Sequence, residues 1–309
     1  MGQRPYRYTN LTSALGDRSS PLRHYLDTEF PHTRGLLAEF RHACGPLLVD
    51  GTSASPATVG AAFDFQTRFA LDHDYLPRQA LYAFLNTPPE LAVLDAVITR
   101  ASAAAKSMGT PHARASADDS SAAAQLARAC WVLALATDVY RSGWRADNAL
   151  TRMARTGRFA TEPLMALCPA NGVAELTALG RVADDHFLPQ LSWPPLVLGP
   201  EFAASTLCAA DADLIVGGSL IDIKTKLGRL DPKTGVRHGV ISTAEIYQLV
   251  AYLLFDTGDR YGTDAIGIYS ARYGCLMRWP VPAVLDTLAG HPVNVAEARA
   301  EVWRLLGGR

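Results

Sequence analysis

Lysine is scarce in this chain: four lysines stand against 25 arginines among 309 residues. Where arginine is the default cation, each lysine is a choice, and three of the four are Lys224, Lys226 and Lys233. Charge of either sign is also thin, at 19% of residues with a formal net of −1. That balance excludes a uniformly basic protein of the histone kind and leaves room for a local cationic groove. Long apolar runs are missing. The longest stretch without Asp, Glu, Lys or Arg, from His186 to Pro200, is broken by prolines and is too short for the roughly 20 residues of a spanning helix. The first residues, Met1 to Arg7, hold no apolar segment of a secretory signal. The five cysteines are scattered without a CxxC pair, which predicts reduced thiols in a cytoplasmic protein, with neither a disulfide frame nor a zinc cluster. No GxSxG, HExxH or EF-hand pattern occurs. Lys224-Thr225 follows Ile223, where a phosphate-binding P-loop needs glycine.

What is present is a hydrophobic half (49%), enough to fill a core. The first two thirds read as helical. Ser20-Pro21 and Ser55-Pro56 are N-cap and first-turn signals, the second opening a helix through Gly60, Phe63, Asp64 and Arg68 to Leu71. Pro88-Pro89-Glu90 opens another into the alanine run at 101–105, and further helices are predicted over about Ser121 to Tyr140 and Val173 to Phe187. The polar segment from Thr110 to Asp119 reads as a loop. Near Trp193 the texture changes to extended runs. Ser242-Thr243-Ala244-Glu245 is a capping box that opens an apolar helix. A second hairpin, Asp264 to Ala271 and Cys275 to Trp279, and a helix from Val295 close the chain. Helices first, then strands mixed with helices, predict an α/β or α+β fold with a mixed sheet.

The first hairpin carries the chemistry. Gly217-Gly218 between Asp213-Leu-Ile-Val and Ser219-Leu-Ile-Asp-Ile-Lys predicts a two-residue turn, since both glycines tolerate positive φ. Val216 then pairs with Ser219 and Leu214 with Ile221, so Asp213 faces Asp222. Asp211, if the strand reaches it, faces Lys224. Alternation puts Asp211, Asp213, Asp222 and Lys224 on one side, with Leu214, Val216, Ile221 and Ile223 on the other. Two opposed carboxylates repel unless a cation sits between them. Oxygen ligands in a pair suit Mg²⁺, and a neighbouring ammonium suits charge on a phosphoryl transition state. The bland alternative is a solvated hairpin face.

These residues resemble the PD-(D/E)XK nuclease superfamily, especially its RecB-like branch. Asp213 followed by Asp222-Ile223-Lys224-Thr225 is similar to that family's D…(D/E)xK signature. Gln248 to Tyr252 is similar to its QxxxY helix motif. Gly60 to Asp64 resembles its first motif, with Asp64 where the family carries a metal-binding histidine. The resemblance covers about residues 196–280, with an anchor at 56–72. It implies a restriction-endonuclease-like core over 191–309. The region 1–190 would then be a mostly helical elaboration containing the first core helix and an insertion over about 75–187.

The resemblance also implies a Mg²⁺-dependent deoxyribonuclease, with Mn²⁺ as a substitute. Asp213, Asp222 and the Ile223 carbonyl would hold the metal, and Lys224 would be the catalytic lysine. Gln248 and Tyr252 would orient it or the substrate; core packing is the alternative for Tyr252. Asp64 and Asp211 are further metal candidates, and Glu201 is a weaker one. Such nucleases act on DNA, with RNA also open, in bacterial repair, restriction or defence, some with a helicase or other partner in trans. Some relatives hold an iron–sulfur cluster with three cysteines near the C-terminus. Only Cys275 follows the hairpin here, so no cluster is expected. No membrane partner is expected. A silent nuclease-like binding or assembly subunit is the alternative function. The basic stretch Arg141 to Arg158 is either a phosphate-tracking surface or a solvated face. The histidines do not cluster; His238, in the loop spanning 227–241 after the hairpin, is expected in solvent, with a substrate contact as the alternative.

Overall fold

Serine, proline and glycine punctuate the chain much as their chemistry requires. The computed structural model describes residues 6–109 and 120–308; the segment 110–119, expected as a loop, lies outside the described residues. Helices α1 (Leu11–Gly16), α2 (Pro21–Glu29), α3 (Arg34–Ala43), α4 (Pro56–Leu71), α5 (Arg78–Tyr82), α6 (Pro88–Ser107), α7 (Ser120–Ser142), α8 (Ala149–Arg155), α9 (Thr161–Met165) and α10 (Ala170–His186) precede the sheet. Ser20 and Ser55 cap α2 and α4 by accepting from the third backbone N–H, with proline at the first turn.

Strands β1 (Leu196–Leu198), β2 (Leu214–Val216), β3 (Ser219–Lys224), β4 (Arg229–Leu230) and β5 (Arg237–His238) follow. Then come α11 (Thr243–Phe255), β6 (Ala265–Ser270), β7 (Cys275–Pro280), α12 (Val281–Ala289) and α13 (Val295–Leu305). Five strands form one mixed sheet in the order β1-β2-β3-β6-β7, and β4 pairs with β5 as a separate ribbon. Every neighbour in the large sheet is antiparallel except β3 with β6. A parallel pair needs a crossover, and α11 supplies it.

The predicted hairpin register is the observed one: Val216 faces Ser219, Ile215 faces Leu220 and Leu214 faces Ile221. Gly217 and Gly218 have φ of 53° and 80°, the conformation that only glycine adopts cheaply at both turn positions. Alternation then splits the core. Leu214, Val216 and Ile221 pack into the layer of α4, α6, α7 and α10. Ile215, Leu220, Ile266 and Ile268 pack against α11, which α1 to α3, α12 and α13 cover from outside. The capping box at Ser242 and Glu245 is complete. Helix α11 is apolar nearly all round because it is sandwiched between sheet and helices.

Three expectations need correction. The 227–241 segment is not a plain loop, since it holds the β4–β5 ribbon with Arg229 opposite His238 and Leu230 opposite Arg237. Asp211 does not face Lys224. Gly199 N–H donates to the Asp213 carbonyl and Ala212 N–H to that of Pro200, so the chain before β2 follows the β1 side, and Asp211 bridges to Glu201. Within α7, the stretch Ser121–Ser142 is apolar and long enough to cross a membrane, although charges interrupt it; 72% of its most apolar window is buried in this protein's core.

Candidate active site

Hairpin parity determines which backbone groups face the site. With Val216 and Ser219 as the hydrogen-bonded pair beside the turn, Ser219, Ile221 and Ile223 turn their N–H and C=O towards β2, and Asp222 and Lys224 turn theirs towards β6. Strand β2 begins at Leu214, so Ile223 has no ladder partner on that side. Its N–H donates instead to Asp213 Oδ2 at 2.5 Å. That bond draws the Asp213 carboxylate to the end of β3, on the same face as Asp222. The Ile223 carbonyl opens into the same gap.

Lys224 Nζ lies 2.6 Å from Asp222 Oδ2 and donates to Gln248 Oε1 at 3.1 Å. Gln248 Nε2 in turn donates to the Tyr252 hydroxyl at 2.6 Å. Gln248 and Tyr252 are one turn apart on α11, so both reach the same side of the helix. A lysine ammonium has three donors; Gln248 engages one, and Asp222 pairs with its charge. The Lys224 and Asp213 side chains are 22% and 23% exposed, whereas that of Asp222 is 4% exposed. The cluster therefore keeps a solvent-facing side and is not sealed in the interior.

Helix α4 closes the other wall. A Cβ on Gly60 would meet Thr225 Oγ1 at 3.1 Å, so the helix runs tight against the chain leaving β3. Four residues on, Asp64 faces the cluster but is held by Arg68, with Nε to Oδ1 at 2.9 Å and Nη2 to Oδ2 at 2.8 Å. This is the two-pronged carboxylate pairing that the guanidinium geometry favours. Arg68 also donates to the Tyr75 hydroxyl at 2.8 Å and stands 3.9 Å from Asp213. Arg68 was not among the residues singled out from the sequence. The available signal was Asp64 and Arg68 at i, i+4, which reads equally well as a surface pair. At the rim, Arg141 lies 3.7 Å from Asp211, so one member of the basic stretch does reach the site. Glu201, across the bridge from Asp211, is exposed.

Acid outweighs base here. Asp64, Asp211, Asp213 and Asp222 meet Arg68 and Lys224, with Arg141 at the edge. Burial raises the Asp222 pKa to about 7, with Lys224 lowering it and Asp213 raising it. Burial likewise raises Asp64 to about 7, with Arg68 opposing and Asp213 and Asp211 adding to the rise. Asp213 is pushed up from the same cause, against Arg68 and Lys224. For Lys224, burial favours the neutral amine, but Asp222 and Asp213 outweigh it and its pKa is raised. Burial and the three nearby aspartates hold Tyr252 well above the ordinary phenol, so it keeps its proton.

The oxygen donors able to hold a cation are Asp213, Asp222 and the Ile223 carbonyl. Among the described residues, no three His, Cys, Asp or Glu side chains form a ready metal cage. A cavity of about 610 Å³ lies elsewhere, lined by Ser55, Thr58, Trp131, Arg145 and Asn148 among others. It contains none of the clustered acids, and its Arg145 is paired with Asp147. No protein-family model matches the chain, and no curated protein or solved structure matches it either.

Proposed function

We propose that this protein is a metal-dependent deoxyribonuclease of the PD-(D/E)XK kind. The carrying observation is the convergence of Asp213, Asp222 and Lys224 at one strand end, with the Lys224 ammonium tethered through Gln248 to Tyr252. The donor set suits Mg²⁺, which binds through one or two carboxylates and keeps the rest of its shell for water and phosphate oxygens. Asp222 Oδ2 supports that fit: it is buried and accepts no aligned hydrogen bond, although the ammonium is near. Asp213, Asp222 and the Ile223 carbonyl would hold the ion. Bound there, Mg²⁺ would supply Lewis-acid polarisation of a phosphoryl oxygen and a more acidic water.

The chain's own groups have separable tasks. Lys224, kept protonated by its two aspartates, acts as a fixed positive charge for the phosphorane-like transition state and not as a base. Gln248 limits where that charge can sit. Tyr252 retains an O–H proton to offer to a phosphate or water, because its oxygen already accepts from Gln248. Arg68 holds Asp64 and fixes the wall beside Asp213. In the reaction, water oxygen bonds to phosphorus and one phosphorus–oxygen ester bond breaks, its oxygen leaving as a sugar hydroxyl. Repair, restriction and defence of a bacterial cytoplasm all fit this chemistry.

A second reading, a DNA-binding subunit without turnover, draws on Arg68, which already partly neutralises the acids. Incubation with linear, circular, single- and double-stranded DNA and with RNA in Mg²⁺ or Mn²⁺ separates the two. Cleavage should appear in the wild type and fall by about 10³-fold or more in Asp222→Ala and Lys224→Ala with the fold intact. Undiminished cleavage by both variants rules out this site. Metal binding with no cutting of any substrate favours the second reading.

A further inference from the structure

The β4–β5 ribbon starts five residues after Lys224, and nothing in the proposed chemistry uses it. We infer that it is a clasp for the backbone of duplex DNA beside the cleaved phosphate; this rests on the nuclease reading. The ribbon carries Arg229, Lys233, Arg237 and His238 against a single acid, Asp231. Asp231 is spent on its own turn, where Oδ1 accepts from the Lys233 N–H at 2.8 Å. Among the described residues, Arg229, Lys233 and Arg237 make no ion pair, whereas nearby Lys226 is bound to Glu245 at 2.7 Å. Among the described cations that directly follow the hairpin, those without an ion pair are the ones on the ribbon.

Its root is held firmly. Arg272 Nε donates to the Thr225 carbonyl at 2.5 Å and Tyr273 to that of Leu227 at 2.6 Å. Gly228, at φ 71°, passes so close to the His238 carbonyl and the Tyr273 hydroxyl that a Cβ could not fit. Six residues from Lys224 to Leu230 reach at most about 20 Å, roughly half a turn of duplex. The cations thus fall on the same DNA molecule as the reacting phosphate. Residues 229–238 include no Phe, Tyr or Trp, so the ribbon lacks the stacking platform that single strands need. Leu230 and Val236 are 47% and 49% exposed, apolar points suited to lying along a groove beside the phosphate contacts.

The test is binding, not cutting. Affinity for a labelled duplex is measured across salt concentrations with Asp222→Asn protein, alone and carrying Arg229→Ser, Lys233→Ser and Arg237→Ser. Circular dichroism checks that both are folded. Loss of three phosphate contacts should weaken binding at least tenfold near 0.1 M salt and reduce the log–log salt slope by about 2 to 3. Arg304→Ser, an exposed arginine on α13 paired with Glu301, should change neither. Unchanged affinity and slope in the ribbon variant would overturn the clasp, while wild-type cleavage in the separate assay would leave the nuclease reading intact. An equal loss on single strands overturns the assignment to duplex. A wild type that neither binds nor cuts any nucleic acid removes both.

Discussion

Two buried charge clusters among the described residues are built to opposite rules. At the first, Glu175 and Arg272 pair with side chains 2% and 3% exposed. Glu175 also accepts from the Thr52 N–H and hydroxyl, and Arg272 donates to carbonyls of Asp50 and Thr225. Burial pushes the Glu175 carboxyl up, but its hydrogen bonds outweigh that and its pKa is lowered. Every charge has its complement. At the second cluster the acids outnumber the cations, burial wins, and Asp64 and Asp222 are driven up to about 7. One cluster fastens α10 to the turn between β6 and β7. The other holds unspent negative charge open to solvent, which is what a site for a cation requires.

The contrast breaks most easily at Arg272. Arg272→Ala strands Glu175 as a buried, unpaired charge and should cost about 3–5 kcal/mol in urea unfolding. Asp222→Asn should leave stability unchanged or raised, and equal losses in the two variants would erase the distinction. A smaller effect is expected from Mg²⁺. At tenfold over its dissociation constant it should add about 1.4 kcal/mol at neutral pH. The gain should vanish in Asp213→Asn and persist in Arg145→Ala.

The pH profile sharpens the same point. Asp64 and Asp222 have folded-state pKa values raised to about 7 from 3.8, so their contribution to stability is complete below about pH 4 and is lost as pH rises through 7. Metal-free protein should therefore melt at lower temperature at pH 8 than at pH 5.5, with a shallower slope in Asp222→Asn. A melting temperature that rises with pH over that window would contradict the acid excess. Least of all should change at Arg145 and Asp147, whose side chains are 62% and 69% exposed. Arg145→Ala should alter unfolding by no more than about 0.5 kcal/mol.

Local chemistry explains which features could be read from the sequence. Gly217-Gly218 specified the turn and, through it, the faces of Asp213, Asp222 and Lys224, because a two-residue link admits one register. Ser242 and Glu245 fixed the start of α11 and hence the angular position of Gln248 and Tyr252. The partner of Asp211 was not legible, because it depends on a third strand's path through Gly199 and Pro200. Helix α3 has no side-chain cap and no acid in its first turn, so it announces itself weakly. The β4–β5 ribbon has strands of two residues, too short for alternation to register. Arg68 was hidden for another reason: its importance lies in Asp213 and Tyr75, which are distant from it or on a separate segment, and not in its own helix pattern.

The most direct measurement is a titration of Mn²⁺, followed by the loss of its free-ion paramagnetic resonance signal, into wild type, Asp213→Asn and Asp222→Asn. Saturable binding in the wild type, at least tenfold weaker in either variant, is the predicted result. Binding of equal strength in all three, or none in the wild type, would contradict a cation site between those two aspartates.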